Sequence, residues 1–186
     1  MMRAALIAVV MLHAATAFAQ ADGFYREDLR IPMAEAGPNG LEALFIRPPG
    51  PQRYPLALMS HGTPRDQTAR PAMSPYRMYR QAIEIARRGF AVLVVMRRGY
   101  GVSGGPYSES NGPCDDRDYL RAARTSAADL RAAIEAMKKR TDVSADGMIA
   151  VGVSSGGLRQ HRAGRDRTKG PRRRDQLCRW SRLPCR

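Results

Sequence analysis

Met148-Ile149-Ala150-Val151-Gly152-Val153-Ser154-Ser155-Gly156-Gly157 decides the fold of this chain. An apolar, β-prone run leads straight into Gly-x-Ser-x-Gly, the sequence form of a nucleophile elbow, in which a strand turns sharply into a helix and lifts a serine into the open. Gly152 and Gly156, two before and two after Ser154, fit a bend with no room for β-carbons. A plain Ser/Gly-rich turn is the competing reading of these ten residues, and the surrounding chain has to decide between them.

Upstream, the pattern alternates. Leu41 to Ile46 reads as a strand closed by Pro48-Pro49, and Tyr54 to Ser60 as a buried strand running into His61-Gly62-Thr63-Pro64. Pro64 through Pro75 is loop by composition. Tyr76 to Arg88 has Tyr79, Ile83 and Ala86 on one helical face, with Gly89 as the stop. Phe90 to Met96 is continuously apolar, as in a strand covered on both faces. Arg98-Gly99-Tyr100-Gly101-Val102-Ser103-Gly104-Gly105 is a glycine-rich loop without the lysine of a phosphate-binding loop. Asp118 to Lys139 is the longest helix, its stripe built from Leu120, Ala123, Ala127, Leu130, Ile134 and Met137. Asp142-Val143-Ser144 turns the chain, and Met148 to Val153 is the strand beneath the elbow. The alternation predicts an α/β fold, a mostly parallel sheet with helices on both faces.

A serine that attacks a carbonyl needs N–H groups aimed at the charge that develops, and a base to take its proton. One donor is the backbone N–H of Ser155, the residue after the nucleophile. The second belongs to the loop after an earlier strand, which assigns it to the Thr63 N–H, with Gly62 allowing close approach. His61, just past a strand and before a glycine, reads as a residue that shapes the turn rather than as the base. His161 lies seven residues past Ser154, roughly 10 Å along a helix axis, out of reach of the hydroxyl.

In their order along the chain, the His61-Gly62-Thr63-Pro64 loop, the Arg98 to Gly105 loop and the Gly152 to Gly157 elbow resemble the α/β-hydrolase superfamily. Within it the chain is most similar to the dienelactone-hydrolase-like and X-Pro-dipeptidyl-peptidase-like serine esterases. The resemblance covers about residues 41–157. It implies Ser154 as nucleophile, an oxyanion hole from Thr63 and Ser155, and Arg98 bracing a loop that lines the site. Dienelactone hydrolases proper carry cysteine at the elbow, so Ser154 favours a general hydrolase of small-molecule esters or amides. In such enzymes the acid and then the histidine follow the nucleophile. Here Asp166 and Asp175 follow, but no histidine comes after His161. The expectation is therefore a truncated α/β-hydrolase with an incomplete triad, poorly soluble and with little or no activity.

The ends read differently from the middle. Residues 1–19 have a positive start at Arg3, an apolar run from Ala4 to Ala15 and a small-x-small site at Ala17-Phe18-Ala19, the form of a secretory signal peptide. The stretch is too short for a membrane span, so the mature chain is expected to begin near Gln20, secreted or periplasmic. Residues 20–157 form the hydrolase-like unit. Residues 158–186 hold ten Arg and one Lys against two Asp, so +9 of the formal charge of +14 sits in this tail. Trp180, Cys178 and Cys185 also fall there, leaving Cys114 without a partner in the preceding text.

Two readings of this irregular basic tail stand side by side. One is a solvated arm for nucleic acid or anionic lipid, which the signal peptide disfavours as regards nucleic acid. The other is out-of-frame translation. One permitted codon choice for Gly170 to Arg182, read one nucleotide later, spells an apolar strand ending in Gly-Gly, similar to the segment that hydrolases carry after the elbow helix. No cofactor loop appears. His13, His61 and His161 have no ligand-spaced companions, so no metal is expected.

Overall fold

The computed structural model describes residues 23–113 and 115–156. The signal-peptide reading of residues 1–19, the basic tail of residues 158–186 with His161, and the Cys114 position lie outside the described residues. Among the described residues, five strands and two α-helices form the body: β1 (Tyr25–Ile31), β2 (Leu41–Arg47), β3 (Tyr54–Ser60), α1 (Tyr79–Ala86), β4 (Ala91–Val95), α2 (Tyr119–Lys138) and β5 (Val143–Gly152). They make one sheet in the order β1-β2-β4-β3-β5. β3 pairs in parallel with β4 and with β5, while β2 pairs antiparallel with both β1 and β4. Four strands therefore point the same way and only β2 runs against them, which agrees with the mostly parallel sheet expected.

The period of two along each strand sorts the core into two layers. Ala43 and Phe45 of β2, Leu56 and Leu58 of β3, and Ala91, Leu93 and Val95 of β4 pack against Ala127, Leu130, Ala133 and Met137 of α2. Their neighbours Leu44, Ile46, Ala57, Met59, Val92 and Val94 meet Ala82, Ile83 and Ala86 of α1 on the other face. All five residues of β4 are buried, as its unbroken apolar run requires. Helices cover both faces because the chain winds from β3 to β4 in one direction and from β4 back across β3 to β5 in the other. Right-handed crossovers of opposite direction put α1 and α2 on opposite sides. The carboxyl ends of β3 and β5 lie where the winding reverses, the place at which open α/β sheets bind ligands.

Three elements differ from the sequence reading. β1 was not expected, because Arg26, Glu27, Asp28 and Arg30 crowd its seven residues. It forms as an edge strand by pairing along the whole of β2, from Tyr25 opposite Arg47 to Ile31 opposite Leu41. The helix expected from Tyr76 begins as a 3-10 turn at Pro75–Met78, capped by the Ser74 hydroxyl, and becomes α-helical only at Tyr79. β5 starts at Val143, within the expected turn, because it pairs with β3 in two pieces. Val143 and Ser144 face Tyr54 and Pro55, a bulge follows around Gly147 (φ 69°), and pairing resumes at Ile149 opposite Ala57.

A charged clamp holds the start of β5. Asp142 accepts from Arg47 Nε at 2.9 Å and from Arg140 Nε at 2.8 Å, and Arg140 also donates to Glu27 of β1 at 2.9 Å. The hydrogen bonds from Arg140 are the main cause holding the Asp142 carboxyl below its ordinary pKa. Among the described residues, no helix is long and apolar enough to cross a membrane.

Candidate active site

β5 ends at Gly152, and the next residues make the bend anticipated at the elbow. The Val153 N–H donates to the Ser60 carbonyl at 3.1 Å, so the chain stays tied to the end of β3 as it turns. Ser154 then takes φ 53°, the only positive φ of a non-glycine among the described residues. A side chain held in this region costs about 1–3 kcal/mol and persists only where its surroundings impose it. Ser154 is exposed, and Ser155 and Gly156 already have helical geometry. The Gly156 N–H closes the turn on the Val153 carbonyl at 2.9 Å.

Two glycines permit this approach. A β-carbon on Gly156 would lie 2.5 Å from both the Ser60 and His61 carbonyl oxygens. One on Gly62 would lie 3.2 Å from the Val153 oxygen and 3.3 Å from the Ser154 β-carbon. The His61-Gly62-Thr63 loop and the serine of the elbow are thus in contact. The Thr63 N–H donates to the Ser155 hydroxyl at 2.9 Å, and Thr63 Oγ1 lies 3.0 Å from the same oxygen. Thr63 and Ser155, the two expected oxyanion donors, stand side by side next to Ser154.

His61 is buried and both of its ring nitrogens are engaged. Nε2 accepts the Arg97 backbone N–H at 3.2 Å, which leaves Nδ1 to donate to the Gly62 carbonyl at 2.7 Å. That assignment follows from the network and makes His61 a neutral imidazole bracing its own loop. Arg98 also braces: its N–H and Nε hold the two oxygens of Asp129 on α2 at 2.9 and 2.7 Å. Burial raises the pKa of Asp129, and the contacts with Arg98 counter that shift.

The residues missed by the sequence reading lie one layer deeper. Arg97, fully buried, donates to the His61 carbonyl at 2.8 Å and to the Ser60 hydroxyl at 2.5 Å, and forms an ion pair with the carboxylate of Glu109. Glu109, 1% exposed, also accepts from the Tyr100 hydroxyl at 2.8 Å and from Ser126 of α2 at 2.7 Å. Tyr100 in turn lies 3.1 Å from Thr63 Oγ1. Burial first, and then the Glu109 charge, hold the Tyr100 phenol protonated well above its ordinary range. The available signal was Arg97-Arg98 directly behind an apolar strand, since an arginine there needs a buried acid. Sequence alone does not say which acid. Among the described residues, no cluster of His, Cys, Asp and Glu could hold a metal.

No protein-family model matches the chain, and no curated protein matches it. Solved structures do. The chain is similar to acetyl xylan esterase 1 from Thermoanaerobacterium sp. JW/SL YS485 at 16% identity, over 75% of this chain and 47% of that one, with a TM-score of 0.50. It is similar to DcsB, solved with its substrate analogue, at 15% identity over 76% and 41% of the two chains, TM-score 0.50. The α/β hydrolase GrgF from Penicillium sp. sh18 matches at 22% identity over 75% and 40%, TM-score 0.48. The chain spans less than half the length of each of these proteins. The mostly parallel sheet with helices on both faces agrees with the likeness to the acetyl xylan esterase and DcsB structures: the described residues carry part of an α/β-hydrolase fold.

Proposed function

We propose that these residues are the nucleophile-and-oxyanion half of a serine hydrolase site acting on a small-molecule carboxylic ester or amide. The observation that carries the reading is Ser154 at φ 53°, exposed at the end of β5 with Gly62 packed against its β-carbon. In this reading Ser154 Oγ attacks the substrate carbonyl. The oxygen that becomes negative is met by the Ser155 and Thr63 N–H groups, and the leaving alcohol or amine departs to give an acyl-enzyme that water hydrolyses. The Thr63 N–H is taken by the Ser155 hydroxyl, so that hydroxyl has to yield the amide to the oxyanion. No described histidine can act as base, because His61 has both nitrogens committed to backbone groups. The serine is accordingly positioned but weakly activated, and the protein is exported through the leader at residues 1–19.

Hydrolysis of p-nitrophenyl acetate by the full chain tests this. The reading predicts turnover within a few-fold of buffer. Fast turnover abolished by Ser154→Ala would show that a base does reach Ser154, and would overturn the weak activation while keeping the nucleophile. Fast turnover surviving Ser154→Ala would overturn the nucleophile itself. Mass analysis of the secreted product checks export, with an N-terminus near Gln20 expected.

A further inference from the structure

The hydroxyl groups behind the elbow form a chain whose direction can be derived. The Glu109 carboxylate, paired with Arg97, can only accept. Tyr100 must therefore give it the phenolic proton, over 2.8 Å. The Tyr100 oxygen is then left to accept from Thr63 Oγ1–H at 3.1 Å, and Thr63 Oγ1 to accept from the Ser155 hydroxyl at 3.0 Å. With its proton committed, Ser155 Oγ presents a lone pair to the Thr63 N–H at 2.9 Å. A buried charge thus orders four successive hydrogen bonds that end on the amide beside Ser154.

We propose that Glu109, acting through Tyr100, is a positioning residue that fixes the direction of this chain and so holds the Thr63 amide against the elbow. The inference rests on the reading of Ser154 as nucleophile for its meaning, but the geometry it describes is independent of catalysis. Tyr100 is the link. It is fully buried, its ring lies edge-on to His61 with centroids 4.4 Å apart, and its hydroxyl joins Glu109 to the Thr63 side chain. Removing that hydroxyl takes away the acceptor of the Thr63 Oγ1 proton, and with it the fixed direction of the bond to Ser155, while leaving the ring packing and the Arg97–Glu109 pair in place.

Hydrogen exchange at the Thr63 amide, resolved to single residues on the full chain, tests the proposal. Tyr100→Phe and Thr63→Val are each expected to speed exchange at residue 63 about tenfold, the order set by one hydrogen bond. The double variant should exceed neither, since both cut the same chain, and Thr63→Ser should keep the parent rate. The Leu58 and Val94 amides in the core should not change. Glu109→Gln, whose amide oxygen is expected to stay on the donors Arg97 Nε and Ser126 and so turn its NH2 toward Tyr100, should match Tyr100→Phe; if it does not fold, Tyr100→Phe alone decides. An unchanged rate at residue 63 in Tyr100→Phe, additive effects, or equal acceleration at Leu58 and Val94 would each overturn the proposal. Ser154→Ala should leave exchange at residue 63 untouched. Failure of the nucleophile reading, seen as ester turnover that survives Ser154→Ala, is therefore distinguishable from failure of this one.

Discussion

The Thr63 amide donates to the Ser155 hydroxyl across 2.9 Å, joining the loop after β3 to the bend that follows β5. Ninety-two positions separate the two residues. They meet because β3 and β5 are neighbours in the sheet and both strands end at the same rim. The contact needs the backbones to approach more closely than side chains would allow, which makes the glycines the first place to test.

Gly156→Ala places a β-carbon 2.5 Å from two carbonyl oxygens of the β3 end, and both are backbone. Moving the Ser60 oxygen breaks its bond from the Val153 N–H, and moving the His61 oxygen its bond from Arg97. The expected loss of stability is about 3 kcal/mol, at the upper end for overpacking. The midpoint of urea unfolding measures it. As a control, Gly23→Ala meets nothing within 4 Å and is strained only by its φ of 73°, so it should cost about 1 kcal/mol.

Arg97→Met leaves the Glu109 carboxylate buried without its counter-charge. Breaking a buried pair from one side costs about 3–5 kcal/mol. Double replacement with Glu109→Gln should recover part of that loss. Chemical denaturation of both variants measures the difference, and a double variant no better than the single would argue against the pairing.

Asp142 supplies the pH dependence. Its folded pKa is depressed, so its contribution is present in full above the ordinary carboxylate value, about 4, and is lost as pH falls through the folded value. Asp142→Asn should therefore be less stable than the parent at pH 7 and should lose less on acidification below about pH 4. The Asp129 shift has the opposite sign, but it is common to both proteins and cancels in the comparison. Thermal melts from pH 7 to pH 3 test the sign.

Among the described residues β5 is the last strand in the sheet order, and Met148 and Ile149 on it, with Val153 beyond it, are 36%, 37% and 52% exposed. Apolar edge strands recruit other strands. The full chain should associate as its concentration rises, and Ile149→Lys should shift that association to several-fold higher concentration in sedimentation velocity. Equal behaviour of the two proteins would place the association elsewhere.

The buried strands β3 and β4, the amphipathic α2 and the elbow were legible in the sequence because each shows a periodicity or a motif set by its surroundings. β1 was not, since its charged residues carry no apolar pattern and the strand exists through its pairing with β2. The start of β5 was hidden by a bulge that only the register with β3 defines. Ser154, Thr63 and Ser155 could be singled out from motif logic. Glu109 could not, because it sits in a loop with no pattern and matters through burial beside Arg97.

Peptide mapping after reaction with a fluorophosphonate tests the central claim most directly, because such reagents phosphonylate the serine that faces an oxyanion hole. The account predicts slow labelling of the full chain, with the added mass on Ser154 and none on neighbouring Ser155, and no labelling of Ser154→Ala. Label spread evenly over exposed serines, or found on Ser155, would contradict it.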